Sequence, residues 1–118
     1  MLTNSFDAAS LWDMVQAIQR IQEFTATLSY DNYLNSLLVQ SAVERQLEIL
    51  GEAARRLSNE FRQAHPEIAW RRIIGLRNIL IHRYDEIRQQ MIWAIVASEL
   101  ELLRLQLEAL LPPLASEP

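Results

Sequence analysis

Apolar residues recur along this chain at helical intervals. Leu11, Met14, Val15, Ile18, Ile21, Phe24 and Leu28 form one stripe on a helix that begins near Asp7 or Ser10 and runs to about Leu28. Turn-prone Ser29, Asp31 and Asn32 interrupt the pattern, with Asp31 or Asn32 placed to cap a second helix. There Val43, Leu47, Leu50, Ala54, Leu57 and Phe61 alternate spacings of four and three. Gly51 sits inside that helix at a cost of roughly 1 kcal/mol relative to Ala, which points to a close helix crossing rather than a break. In AHPEIAW, Pro66 suits the first turn of a short helix, Glu67 favours its positive end and Trp70 is expected to pack inward.

A third helical segment is expected over residues 71 to 83 and a last long helix from Asp85 to Leu111. The latter carries Trp93, Val96, Leu100, Leu103, Leu107 and Leu110 as a bundle stripe and is stopped by Pro112 and Pro113. The expectation is an all-α fold, an antiparallel bundle of four main helices plus one short helix. Residues 1–111 make a single helical domain and 112–118 a short tail. Trp12, Trp70 and Trp93 are expected in the core.

Composition agrees with this picture. Half of the 118 residues are apolar, enough for one core, and two Gly with four Pro leave little turn chemistry for hairpins. The absence of cysteine removes disulfides and thiolate metal sites and fits a reducing, cytoplasmic setting. The start, MLTNSFDAAS, has no basic and apolar leader pattern, and the longest apolar run, MIWAIVA, is too short to span a bilayer, so no membrane association is expected.

A net charge of −4 argues against a general nucleic-acid coat. Its distribution changes that conclusion locally. All eleven basic residues are Arg, and eight of them fall between Arg55 and Arg88 against four acids. A local anion site is compatible with this, as are solvated helix faces with surface ion pairs.

The chemistry concentrates in RNILIHRY, residues 77–84, where Arg77, Asn78, His82, Arg83 and Tyr84 surround the apolar run Ile79, Leu80 and Ile81. On a regular helix Asn78 and His82 share one face and Arg77 and Tyr84 another. Arg77 and His82 stand about 140° apart, so a joint site requires the helix to end near His82 or two copies of the segment to meet. An imidazole can take a proton from a ribose 2′-hydroxyl or give one to the leaving oxygen, while a guanidinium holds the phosphate as charge builds. That pair suits metal-independent phosphodiester cleavage. His82 and Glu86, four apart, supply only two metal ligands, so no metal or other cofactor is expected.

The segment PEIAWRRIIGLRNILIHRY resembles the signature region of the HEPN superfamily, specifically the HepT-type toxins with their R-x-x-x-x-H-x-Y motif, met here by Arg77, His82 and Tyr84. Upstream, QLEILGEAARRL is similar to the family's second-helix segment, including Gly51, Glu52 and Ala53. The resemblance implies a homodimeric endoribonuclease, toxin of a type VII-like toxin–antitoxin pair, acting on RNA and partnered by a minimal nucleotidyltransferase antitoxin. It implies that Arg77 stabilises the scissile phosphate, that His82 is general acid or base, and that Tyr84 accepts AMP, which silences the toxin. Asn78 and Arg83 are candidate substrate-orienting residues, beside the readings of a surface amide and a solvated cation. Glu52 is raised as an ion-pair partner for a nearby Arg. The rival reading is a non-catalytic helical partner of a nucleotidyltransferase, in which Arg77 and His82 merely bind nucleotide. A bundle whose motif is coincidental is the third.

Overall fold

The structure, a computed structural model, describes residues 5–112. Their regular structure is entirely helical, with seven α-helices and one 3₁₀ turn: α1 (Ser5–Thr25), α2 (Tyr30–Leu34), α3 (Leu37–Arg56), α4 (Asn59–Ala64), α5 (Trp70–His82), the 3₁₀ turn (Tyr84–Glu86), α6 (Gln89–Ser98) and α7 (Leu100–Leu110). The four expected rods are α1, α3, α5 and the pair α6–α7, and the fold is a helical bundle. No helix among the described residues is long and apolar enough to cross a membrane. Most of the tail, from Pro113 onward, lies outside the described residues.

The extra helices arise where polar side chains outcompete the helical ladder. α1 stops at Thr25 rather than Leu28, and Ser29 opens α2 through a reciprocal capping box with Asn32. Ser29 is the cap, not Asp31 or Asn32, which both lie within α2. Ser36, accepting from the Val39 N–H, starts α3. The stripe through Leu57 and Phe61 spans two helices instead of one. At their junction Ser58 caps α4, and buried Asp7 of α1 accepts from both the Ser58 N–H and its hydroxyl, each at 2.8 Å. A carboxylate in that position offers the Ser58 N–H a charge-assisted partner that the helical carbonyl does not.

The expected short helix at Pro66 is a turn, and α5 starts only at Trp70. The last helix is divided at Glu99, whose backbone departs from helical values with φ −122° and ψ −30°. There Glu99 binds Arg72 of α5, the Nη1 atom at 2.6 Å and Nη2 at 2.8 Å, so the junction is tied across the bundle.

α3 lies at the centre, packed on one side by α1 and on the other by α5; α7 covers α1, while α2 fits against α3 and α6. Leu11, Met14, Val15, Ile18 and Ile21 of α1 meet Val43, Leu47, Leu50 and Ala54 of α3 in a buried apolar core. Each large aliphatic side chain buried there is worth about 1.5–3 kcal/mol, so this seam dominates the apolar stabilisation. α5 fully buries only Trp70 and Leu80, while Ile73, Ile74 and Leu76 are partly buried against the core and Asn78, Ile81 and His82 are exposed. Trp70 is inward as expected and donates Nε1–H to the His65 carbonyl at 2.9 Å. Trp93 is half-buried against Tyr33, with ring centroids 5.1 Å apart. Trp12 departs from expectation: it is 45% exposed, on the side of α1 turned from the Leu11–Ile18 stripe.

Candidate functional site

α5 carries the motif, and its closest approach to α3 is made at Gly51. A Cβ built there would stand 2.3 Å from Arg77 Cβ and 3.1 Å from the Ile73 carbonyl oxygen, so only glycine lets the stem of Arg77 lie against α3. Next to this crossing Glu52 faces the guanidinium. Arg77 Nε is sealed from solvent 3.1 Å from Glu52 Oε1, an ion pair rather than an aligned hydrogen bond. Arg55 approaches the same carboxylate with Nε at 3.3 Å and Nη2 at 3.1 Å. The hydrogen bond from Arg55, together with the positive charges of Arg55, Arg77 and Arg56, holds the Glu52 carboxyl below the ordinary carboxylate range. With its side chain only 19% exposed, Arg77 is a held cation.

Arg77 and His82 do not share one hollow in a single chain. Arg77 borders a shallow depression with Arg45, Glu48, Glu52 and Arg56, whereas His82 borders an open hollow of about 430 Å³ with Asn78, Ile79 and Arg83. Asn78 links the two, because Arg77 Nη1 donates to Asn78 Oδ1 at 2.9 Å. The guanidinium thus reaches from the α3 crossing to the rim of the histidine hollow. A more enclosed apolar groove elsewhere, lined by Leu47, Ile73, Leu76 and Leu103, contains no residue of the motif.

α5 ends at His82, and this relocates Tyr84. The regular-helix expectation that Arg77 and Tyr84 share a face fails, because Arg83 leaves helical geometry and Tyr84 begins the 3₁₀ turn. Arg83 is exposed and 3.9 Å from Glu86. Tyr84 is 60% exposed. The negative charge of Glu44 of α3 pushes the Tyr84 phenol above its ordinary value.

Glu44 is the residue that pattern reasoning missed. It is 5% exposed and accepts from Gln89 Nε2 at 2.5 Å, while Gln89 Oε1 accepts from the Tyr33 hydroxyl at 2.5 Å. Tyr33 is fully buried, and desolvation, then the charge of Glu44, raises its phenol far above the usual range. The signal for this chain of groups was weak in the sequence: Glu44 lies one residue beyond Val43, next to the apolar stripe, where an acid is costly unless hydrogen-bonded. Among the described residues no three His, Cys, Asp or Glu side chains group as metal ligands.

Comparison with known proteins agrees with the family resemblance. The family profile "Ribonuclease HepT-like" matches residues 14–110. The chain is 37% identical over 100 residues to a Methanocaldococcus jannaschii protein provisionally named an RNase, covering 85% of this chain and 92% of that protein. It is also 37% identical over 100 residues to the "Probable ribonuclease HepT" of Thermococcus cleftensis, covering 85% and 91%. A third relative, a provisionally named RNase of Caldanaerobacter subterraneus, is 31% identical over 98 residues, covering 83% and 88%. No solved structure matches the chain. The chain belongs to the HepT-like ribonuclease family of the HEPN superfamily.

Proposed function

We propose that this member of the HepT-like ribonucleases is a metal-independent endoribonuclease toxin, active as a homodimer and silenced when a partner nucleotidyltransferase transfers AMP to Tyr84. The observation that carries the nuclease reading is the bridge from Arg77 through Asn78 to the hollow of His82. His82 takes the proton of a ribose 2′-hydroxyl as its oxygen attacks the adjacent phosphorus. Arg77, pinned by Glu52, stabilises the negative charge that builds on the phosphoryl oxygens. Asn78 fixes the guanidinium plane, and Arg83 at the rim, exposed and only loosely paired with Glu86, meets a neighbouring phosphate.

Within one chain the two groups border separate depressions, which favours a cleft built from two copies of α5. Purified protein should cleave RNA, and His82→Ala should lose cleavage while retaining its helical spectrum. Binding of RNA without cleavage by the unaltered protein would replace this reading with that of a non-catalytic partner.

AMP transfer would silence the enzyme by local electrostatics. A phosphodiester-linked nucleotide adds about one negative charge and a bulky nucleoside. Attached two residues from His82, it competes with RNA phosphate for the same cations without unfolding the bundle.

A further inference from the structure

Two guanidinium groups border a hollow that has no part in the site of His82. Between residues 55 and 88, Arg55, Arg56, Arg72, Arg77 and Arg83 each lie within 4.0 Å of a carboxylate. Among the described residues Arg62, Arg71 and Arg88 have no such partner. Arg62 of α4 and Arg71 at the start of α5 line one open hollow of about 480 Å³, to which Asn59 and Gln63 add amides and to which no acid contributes. The nearby Glu67 borders the apolar groove of Leu47 and Leu103 instead, with its carboxylate 3.6 Å from His65 Nδ1. Arg62 is partly buried. Its Nη2 donates to Asn59 Oδ1 at 2.7 Å, whereas its Nε is sealed from solvent and has no hydrogen-bond partner among the described residues. A cation stripped of water with only an amide beside it is costly until an anion meets it.

This hollow lies in line with the motif. Along α5, Arg71, Gly75, Asn78 and His82 follow one another at spacings of four, three and four, so they share one face of the helix. Arg71 and His82 stand about 16 Å apart along the axis and about 20° apart around it. Between them Gly75 presents no side chain, and a Cβ built there would meet nothing within 4 Å. Packing within the chain therefore does not call for glycine at that point, and the path from one hollow to the other is unobstructed. We propose that the hollow of Arg62 and Arg71 is a second phosphate site, holding the backbone of a single-stranded RNA a few nucleotides from the bond cut at His82. The proposal rests on the reading of RNA as the substrate and adds where the rest of the strand is held. Guanidinium groups meet phosphate oxygens in charge-assisted, bidentate pairs. Such contacts carry no base information, but they fix the register of the strand and so which bond reaches His82. The phosphate held there is not the one that reacts, so it is bound equally before and during cleavage. The site therefore acts on KM and leaves kcat alone.

The test uses the full chain and synthetic single-stranded RNAs that share one cleaved bond and are lengthened nucleotide by nucleotide on either side of it. For the unaltered chain KM should fall when the strand on one side becomes long enough to reach the hollow. Arg71→Gln removes an exposed, unpaired cation and should fold normally. It should raise KM for the long RNA about tenfold, the scale of one charge-assisted hydrogen bond, with kcat unchanged, and the fall of KM with length should disappear. Binding is measured separately on His82→Ala chains, which leave the RNA intact. There the slope of log Kd against log salt concentration should shrink by about 0.7 when Arg71→Gln is added, one phosphate contact having been lost. Arg62→Gln should act in the same direction; if it does not fold, Arg71→Gln alone decides. The same KM at every length, or a loss in Arg71→Gln that falls on kcat equally for short and long RNAs, would overturn this inference and leave the nuclease reading standing. If the unaltered chain binds RNA without cutting it, the nuclease reading falls, and a length-dependent Kd that Arg71→Gln abolishes still supports the second site. No binding of RNA at all overturns both.

Discussion

Gly51 lies directly against Arg77: the missing side chain of the first is the space taken by the stem of the second, with 2.3 Å between Arg77 Cβ and a Cβ built at position 51. The contact is with the root of the arginine side chain, which cannot swing away, and the Ile73 carbonyl stands close behind at 3.1 Å. Gly51→Ala therefore must push α5 from α3. The helix-propensity gain of about 1 kcal/mol is outweighed by overpacking of about 1–3 kcal/mol. Thermal unfolding should show a net loss of stability, and RNA cleavage should fall further than stability alone accounts for, because the Arg77 stem is displaced.

Glu52→Gln should affect placement more than stability. The carboxylate is partly exposed, and such pairs contribute little to folding. Its loss frees the guanidinium, so cleavage should drop about tenfold with the melting temperature nearly unchanged. The pH dependence has a definite sign. The folded-state value of Glu52 is lowered from 4.5, so its contribution is fully present above 4.5 and is lost as the pH falls through the depressed value. Melting curves of Glu52→Gln and the unaltered protein should converge in that acidic window, and a gap that widens on acidification would contradict the assignment.

Arg77→Ala should lower cleavage by about two orders of magnitude or more, the scale of losing an electrostatic stabiliser, and a chelator should leave the unaltered enzyme active. If the cleft takes Arg77 from one copy and His82 from the other, mixed Arg77→Ala and His82→Ala chains should recover activity that neither shows alone. Sedimentation should give a dimer at micromolar concentration. Inhibition by EDTA that added metal reverses would overturn the mechanism, and a cleaving monomer the shared cleft.

Tyr84→Phe should remain folded and keep cleaving RNA, since the ring is largely exposed and is assigned no part in the cleavage step. Co-expressed with the nucleotidyltransferase it should gain no AMP and stay toxic, whereas the unaltered chain should gain mass in AMP steps on Tyr84. Neutralisation of an unmodified chain would show that the partner acts by binding alone.

Asp7→Ala should cost about 1–3 kcal/mol, the penalty of leaving the Ser58 N–H and hydroxyl without their carboxylate. Chemical denaturation measures it directly. Activity per folded molecule should be unaffected, because the α3–α4 junction is remote in sequence from the motif and contributes none of its residues.

The helical class, the four rods and the stripes on α1 and α3 were legible in the sequence because apolar periodicity is a local property, written three and four residues apart. The crossing at Gly51 was legible for a related reason: a glycine inside a strong helical stripe costs stability unless something must approach it. The motif of Arg77, His82 and Tyr84 could be read as a spacing, and with it the family. Where the helices end was decided by tertiary contacts. Asp7, fifty-one residues away, captures Ser58 and splits one expected helix, and Arg72 ties the Glu99 junction that divides another. The end of α5 at His82 takes Tyr84 off the helical face of Arg77 and into the field of Glu44, a residue with no motif to mark it. Periodicity assigns a residue to a face of its own helix. Which groups from other helices will meet it there depends on how the helices pack, and the pairs Glu52–Arg77 and Glu44–Gln89 exist only because α3 runs through the centre of the bundle.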